Sequence, residues 1–222
     1  MKRIAVVIPA YNAGRTITEL IERVLKFVDR QDVVVIDDGS EDQTSQLAEQ
    51  LSVTVLKHGR NRGKGEALKT GFEHVLPRDY QALITMDADL QHAPESIPDF
   101  SRLAESFSGV IIGTRKRNLK IMPFARWLTN HLTSVIVSIL SGVTVRDSQS
   151  GYRLIPVQVL REVELKSSKY DLESEILIKA ARKGFGIGEV PIGTIYGEGK
   201  SFINPLVDTG RFIRLMWNSL WW

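Results

Sequence analysis

The strongest constraint on the fold is a regular alternation of short apolar runs with helical patterns. Apolar runs predict buried strands at 3–8, 32–36, 52–56, 82–86 and 109–113. A segment of helical period follows each of the first four, and Thr16 with Glu19 predicts a capping box at the first helix. Strands that alternate with helices in this way form a mostly parallel sheet with right-handed crossovers. We therefore expect an α/β protein whose helices flank the sheet.

The fourth apolar run ends in two acidic residues spaced one apart. Ala82–Met86 leads directly into Asp87, Ala88 and Asp89, and Gln91 follows two positions later. Residues at i and i+2 near a strand end point to the same side, so the two acids and the amide can converge. Such oxygen ligands suit Mg²⁺ or Mn²⁺, which add water and substrate phosphates. The pattern predicts a divalent-metal site with a phosphorylated ligand; the alternative is that the acids cap the next helix.

Polar and basic residues follow the other strands as well. Tyr11 follows the first strand, Asp38 the second, and a glycine-rich loop with Arg62 and Lys64 the third. Ligands of parallel sheets bind beyond these strand ends, so we expect one crevice shared with the acidic pair. The loop 59–65 lacks P-loop spacing, and no dinucleotide fingerprint follows a strand. The two basic residues are predicted to contact a diphosphate or, alternatively, to be solvated surface charges.

Composition limits the class of protein. The 222 residues are 43% hydrophobic and 25% charged, which is typical of a globular chain, and we expect a single domain over 1–222. The net charge is only +3, and the sequence has no recognisable RNA- or DNA-binding module, so we expect no nucleic acid partner. Cysteine is absent, which excludes thiol nucleophiles and suits a reducing cytoplasm. No apolar run has the length of a membrane span, so we expect a cytoplasmic protein, soluble or peripheral at the inner face of the membrane.

Two amphipathic segments in the second half predict contact with an apolar surface. Apolar residues between Leu128 and Val143 share a helical face, which fits either core packing or an interfacial helix against lipid or a partner. The C-terminal segment 212–222 places tryptophans beside arginines. This composition fits a membrane interface, an oligomer contact or packing on the main body.

Several motifs, taken in order, resemble those of family 2 glycosyltransferases with a GT-A fold. They are Ile8–Asn12, Val35–Ser40, Gly63–Gly65, Asp87–His92 with Pro94 and Glu95, Ile112–Arg115, Asp147–Arg153 and Glu189–Ile192. The similarity is closest to the dolichyl-phosphate mannose synthase and polyprenyl-phosphate glycosyltransferase branch. It implies a Rossmann-like, mixed and mostly parallel sheet, with a nucleotide-sugar half at 1–115. An acceptor half with C-terminal amphipathic helices is implied at 116–222.

The resemblance also implies roles for single residues. Pro9, Ala10, Tyr11, Asp38, Lys64, Asp87 and Ala88 would bind the nucleotide sugar, with Asp38 on the base, and Asp87, Asp89 and Gln91 would hold the metal. Arg115 and Arg153 match basic positions near the reacting phosphates. Arg126 would lie at the acceptor entrance. Lys200 would lie in the acceptor loop, although Lys200 before Ser201 inverts the order usual in this branch.

The implied reaction is metal-dependent, inverting transfer of a sugar from a UDP- or GDP-linked donor to an acceptor, foremost a polyprenyl phosphate. The catalytic candidates are Asp89, Arg115, Asp147, Arg153 and Glu175. A phosphate acceptor needs cations, for which Arg115, Arg126, Arg153 and Lys200 are candidates, whereas a hydroxyl acceptor needs a base such as Asp147, Glu173 or Glu175. These residues also have non-catalytic interpretations. Arg153 and Asp147 would then form a buried structural ion pair, and Glu175 would lie on a solvated helix face.

Other functions fit the same residues. They are transfer to a hydroxyl acceptor, a sugar-phosphate nucleotidyltransferase, and a non-catalytic nucleotide-sugar-binding subunit at a membrane. The sequence leaves open the nucleotide, the sugar and the choice between Mg²⁺ and Mn²⁺. It also leaves open whether the chain forms a homo-oligomer or pairs with a membrane subunit.

Overall fold

The structure, a computed structural model, describes residues 3–115, 124–169, 171–193, 215–217 and 219, with the backbone alone at 124–127. Within these residues seven strands form one sheet: β1 (Ile4–Ala10), β2 (Val33–Asp37), β3 (Thr54–Lys57), β4 (Ala82–Thr85), β5 (Val110–Arg115), β6 (Arg153–Pro156) and β7 (Ile187–Ile192). The flanking helices are α1 (Ile17–Val24), α2 (Thr44–Gln50), α3 (Lys64–Val75), α4 (Ile97–Ser106), α5 (Phe124–Ser141), α6 (Val157–Glu162) and α7 (Asp171–Arg182).

The strand order is β3-β2-β1-β4-β6-β5-β7. All neighbouring pairs are parallel except those made by β6, which runs antiparallel to both β4 and β5. The carboxyl ends of the parallel strands and the amino end of β6 therefore lie at the same edge. The prediction of a mixed, mostly parallel sheet flanked by helices is confirmed. Because β6 lies between β4 and β5, the two expected halves of the chain share this sheet.

Helices cover both faces of the sheet. Helices α1, α2 and α4 pack on one face, where Ile8, Leu20 and Phe100 are fully buried. Helices α3, α6 and α7 pack on the other, with Val7 and Leu177 in their core. Successive residues of a strand point to opposite faces, so a strand covered on both sides has no polar face. This is why the strands appear in the sequence as continuous apolar runs.

The first helix does not begin with the predicted capping box. No side chain caps α1, and the Thr16 hydroxyl instead donates to the carbonyl oxygens of Ala88 at 2.6 Å and Ala13 at 3.2 Å. The expectation was wrong because a contact distant in the sequence replaces the local one. As a result, the start of α1 is tied to the loop that follows β4.

Helix α5 turns large apolar side chains outward. Leu128, Leu132, Val135 and Ile139 are 39–73% exposed, whereas small hydroxyl residues such as Ser134 face inward and hydrogen-bond to carbonyls of the same helix. Val137, on the inner side of the same helix, packs in the core. We call the four exposed residues the α5 stripe. Among the described residues, no helix combines the length and hydropathy that crossing a bilayer requires.

A glycine sets the distance between α3 and the sheet, and its replacement tests this packing. A Cβ at Gly71 would overlap the side chain of Val7. We expect Gly71→Ala to lower the free energy of unfolding by roughly 1–3 kcal/mol through overpacking, although alanine favours a helix by about 1 kcal/mol. Urea denaturation measures the change. Gly59→Ala, where nothing lies within 4 Å, is the control; a stabilised Gly71→Ala protein would contradict the close packing.

Candidate functional site

The acidic pair leaves the sheet at the carboxyl end of β4. The hydroxyl of Thr85 donates to the carbonyl of Gly151 at 2.8 Å, which ties the strand end to the loop before β6. Beyond it, the side chain of Asp87 is 26% exposed and that of Asp89 reaches solvent. The backbone amide of Gln91 donates to Asp89 Oδ1 at 3.0 Å, so the loop folds back on itself. The two acids therefore emerge from a buried strand at the edge where parallel sheets bind ligands.

Lys64, the first residue of α3, bridges two carboxylates. Its Nζ lies 2.5 Å from Asp87 Oδ1 and 3.0 Å from Glu173 Oε1, and its side chain is only 16% exposed. Burial lowers the pKa of the Lys64 ammonium, but the charges of Asp87 and Glu173 outweigh this effect and hold it above its ordinary value. The alternative interpretation of Lys64 as a solvated surface charge is therefore wrong. That interpretation fits Arg62, which is 49% exposed and pairs with Glu66 at 2.7 Å.

Two glycines allow the Lys64 loop to approach the segment before α7. Gly63 has a φ of 101°, and a Cβ at Gly65 would overlap the backbone of Ser168. The Lys169 ammonium donates to the carbonyl of Arg62 at 2.5 Å. Larger residues at either glycine would separate these segments. The close approach directs Lys64 between Asp87 and the first turn of α7.

The acidic pair is electrostatically suited to a divalent cation. Burial raises the pKa of the Asp87 carboxyl, but Lys64 outweighs this effect and holds it below its ordinary value. Partial desolvation by the loop, and then the charge of Asp87, raise the pKa of the Asp89 carboxyl. Among the described residues, no three His, Cys, Asp or Glu side chains form a preassembled metal centre. One or two carboxylates completed by water and substrate phosphate suit Mg²⁺, so the residues present fit a cation that binds together with a phosphorylated ligand.

Arg115 and Asp147 form a buried pair near the acidic residues. Arg115 Nε and Nη2 donate to the two carboxylate oxygens at 2.7 and 2.8 Å, and Asp147 is 1% exposed. Both were predicted as catalytic residues, and the structural alternative paired Asp147 with Arg153 instead. The observed partner of Asp147 is Arg115, because β5 ends beside the loop that precedes β6.

Arg153 is held by backbone carbonyls. Its guanidinium donates to the carbonyl oxygens of Ser150 and Ser148, both at 2.7 Å, and to that of Glu173. The side chain is 1% exposed, and burial lowers its pKa. These contacts place Arg153 in the interior beneath the site, where it connects β6 to α7. The ion pair with Asp147, which was the structural alternative to a catalytic role, is not observed between these two residues.

Glu175 lies apart from the acidic pair. Its carboxylate accepts hydrogen bonds from the backbone amides of Lys166 and Ser167 and from the Lys179 ammonium at 2.7 Å. Burial raises the pKa of the Glu175 carboxyl, but these donors outweigh it and hold the pKa below its ordinary value. The alternative of a solvated helix face is wrong, because the residue is fully buried. Its contacts are those of a residue that fixes the loop before α7.

The predicted nucleoside residues lie at the ends of β1 and β2. Pro9 and Tyr11 are half-buried, and the carbonyl of buried Ala10 accepts from the Asp38 amide at 2.8 Å. The Asp38 carboxylate is 3% exposed and accepts from the backbone amides of the Gly63 loop at 2.7 and 2.9 Å. His58 Nδ1 lies 2.6 Å from it. Asp38 therefore orders the Lys64 loop, and its contact with a base stays a prediction.

Two acceptor-side predictions cannot be located. The side chain of Arg126 and the whole of Lys200 lie outside the described residues. Conversely, sequence reasoning missed three contributors to the site: Gly151, Lys169 and the pairing of Glu173 with Lys64. The glycines on both sides of Lys64 were the available signal, since such spacing indicates close backbone approach.

The fold and the position of the acidic pair match the GT-A class of glycosyltransferases. The family model described as "Glycosyl transferase family 2" matches residues 5–163, so the chain belongs to glycosyl transferase family 2. The structure is similar to that of glucosyl-3-phosphoglycerate synthase from Mycobacterium tuberculosis in complex with Mn²⁺, UDP and phosphoglyceric acid. The TM-score is 0.76 at 20% sequence identity, over 99% of this chain and 77% of that one.

Two curated relatives carry names that specify a lipid. The UDP-N-acetylglucosamine–dolichyl-phosphate N-acetylglucosaminyltransferase of Methanococcus voltae is 32% identical over 220 residues, which cover 89% of this chain and 87% of the relative. The polyprenol monophosphomannose synthase of Mycolicibacterium smegmatis is 30% identical over 203 residues, covering 86% and 77%. These comparisons confirm the expected family and its polyprenyl-phosphate branch.

Replacement of Arg153 distinguishes an interior role from a catalytic one. We expect Arg153→Met to lower the free energy of unfolding by about 3 kcal/mol or more, because it leaves three buried carbonyls without their donor. Urea denaturation measures the loss. Arg102→Met removes a largely exposed arginine that pairs with Asp99 and should change stability little. A fully stable Arg153→Met protein that has lost only turnover would instead favour contact with substrate.

Proposed function

We propose that the protein transfers a sugar, with inversion at the anomeric carbon, from a nucleoside diphosphate sugar to a polyprenyl phosphate. Asp87, Asp89 and Gln91 would hold Mg²⁺ or Mn²⁺. The observation that carries the proposal is the emergence of Asp87 and Asp89 at the carboxyl edge of the sheet, against Lys64, in a family 2 chain. The names of the relatives from M. voltae and M. smegmatis, with their dolichyl phosphate and polyprenol, support the acceptor.

The chemistry follows from the charge that develops on the leaving group. When the bond between the anomeric carbon and the diphosphate breaks, negative charge builds on the diphosphate. A bound divalent cation supplies a Lewis acid that stabilises this charge. Asp87 contributes an ionised carboxylate, and Lys64 contributes a positive charge beside it. The acceptor attacks from the face opposite the leaving diphosphate, which inverts the anomeric centre.

The ion pairs of the other carboxylates support a phosphate acceptor. A hydroxyl acceptor needs a general base within hydrogen-bond reach. Each carboxylate proposed for that task already has a cationic partner: Asp147 has Arg115, Glu173 has Lys64, and Glu175 has Lys179. A phosphate monoester is already an anion and needs no base. This difference favours the lipid phosphate over a hydroxyl group.

The α5 stripe supports a position at the cytoplasmic membrane surface. Its four large apolar side chains lie at helical spacing on one side of α5, and Ile139 is 73% exposed. Trp217 is 67% exposed in the C-terminal segment. An exposed apolar helix face and an exposed tryptophan are both typical of proteins that lie on a bilayer. A peripheral location would bring the crevice to a lipid-linked acceptor.

Removal of Asp89 tests the metal-dependent transfer. We expect Asp89→Ala to reduce sugar transfer to a polyprenyl phosphate by about 10²-fold or more while the fold stays intact, because a ligand of the charge-stabilising cation is lost. Radiolabelled lipid product and circular dichroism measure the two effects. Asp99→Ala removes an exposed acid on α4 and serves as the control. Unchanged turnover would reject the role of Asp89, and release of pyrophosphate from a nucleoside triphosphate would indicate a nucleotidyltransferase.

Binding to liposomes tests the membrane location. We expect the protein to sediment with anionic liposomes. We expect Leu132→Ser combined with Ile139→Ser to weaken that binding by at least about tenfold, since each buried apolar side chain contributes roughly 1.5–3 kcal/mol. Phe27→Ser removes an apolar side chain that is 37% exposed elsewhere and should leave binding unchanged. A wild-type protein that stays entirely in the supernatant would favour a soluble acceptor.

A further inference from the structure

The carboxylate expected to bind the metal already holds a cation from the chain itself. Lys64 Nζ lies 2.5 Å from Asp87 Oδ1, and both side chains are largely buried. An ammonium and a divalent cation repel each other strongly at such short range in a poorly hydrated site. The two cations therefore compete for the Asp87 carboxylate. A divalent cation that binds the oxygen held by Lys64 displaces the ammonium.

A second carboxylate is positioned to receive the displaced ammonium. Glu173 Oε1 lies 3.0 Å from the same Nζ. It is buried, and its contact with Lys64 is longer than the 2.5 Å contact between Lys64 and Asp87. The Glu173 carboxylate can therefore still accept a shorter and stronger bond from the same ammonium. A small rotation of the Lys64 side chain away from Asp87 would provide it.

The surroundings restrict this motion to the side chain. The backbone of Lys64 is fixed because Gly65 lies against Ser168 and the Glu66 amide donates to the Ser168 carbonyl at 3.2 Å. Gly151 closes the opposite side, where a Cβ would lie 2.8 Å from Lys64 Nζ. The ammonium can therefore exchange between two carboxylates without a rearrangement of the loop.

We propose that Lys64 occupies Asp87 in place of the divalent cation while the site is metal-free, and that it shifts to Glu173 when Asp87 ligates the cation. Glu173 is then a positioning residue, which acts through Lys64. The inference rests on the proposed function, because it requires a cation at Asp87 and Asp89. After the shift, Lys64 stays beside the crevice as a positive charge for the donor diphosphate.

Binding of Mn²⁺ alone, without nucleotide, tests the exchange in two variants with opposite expectations. Lys64→Met removes the competing ammonium, so the dissociation constant for Mn²⁺ should fall by at least about threefold. Glu173→Gln removes the charge that draws the ammonium away, so the constant should rise by at least about threefold. Calorimetry or the electron paramagnetic resonance of free Mn²⁺ gives these values. Lys69→Met, which removes a lysine paired with Glu66 on the same helix, is the charge-matched control and should change little.

A double variant separates this exchange from a general effect of charge. If Glu173 acts through Lys64, Glu173→Gln will not change Mn²⁺ affinity when Lys64 is already Met, whereas independent charges would give additive effects. Additive effects, or unchanged affinity in Lys64→Met, would overturn this inference and leave the proposed function untouched. A wild-type protein that binds no Mn²⁺ would overturn the proposed function with it. If Lys64→Met does not fold by circular dichroism, Glu173→Gln still tests the inference, because unchanged Mn²⁺ affinity in that variant would overturn it.

Discussion

The ion pair between Lys64 and Asp87, extended to Glu173, connects three elements that are distant in the sequence. Asp87 follows β4, Lys64 begins α3 and Glu173 lies in the first turn of α7. A buried charge is costly unless an opposite charge accompanies it, so none of the three can leave without loss to the others. The position of each element therefore depends on the other two. Glycines at 63, 65 and 151 permit the contact, because side chains there would separate the segments.

The sheet explains why charged residues collect at this one edge. Helices cover both of its faces, so polar side chains can emerge only where strands end. The parallel strands bring Asp87 and Arg115 to the carboxyl edge, and antiparallel β6 brings its amino end there as well. Residues 147–153, from the second half of the chain, thereby reach a site built by the first half. One reversed strand is enough to join the two halves around the crevice.

Sequence periodicity predicted the elements well because it reports local burial, and the strand-end acids marked the site. It could not predict which charges pair, because the partners come from other parts of the chain. Arg153 was assigned to phosphates, yet it donates to the carbonyls of Ser148, Ser150 and Glu173. Glu175 was assigned to a solvated face or to base catalysis, yet it is buried among backbone amides. Similarly, the pattern of α5 predicted an amphipathic helix, but only tertiary packing shows that its large apolar side chains face outward.

The balance of charge in the site favours an anionic ligand bound together with a cation. Lys64, Arg115 and Arg153 lie among the carboxylates of Asp87, Asp89, Asp147 and Glu173, which leaves one carboxylate in excess when all are ionised. Burial raises the pKa of the Asp89 carboxyl, and the charge of Asp87, which is part of this excess, raises it further. A divalent cation would reverse the local sign and make the edge attractive to a diphosphate. The site would therefore hold donor and cation more tightly together than either alone.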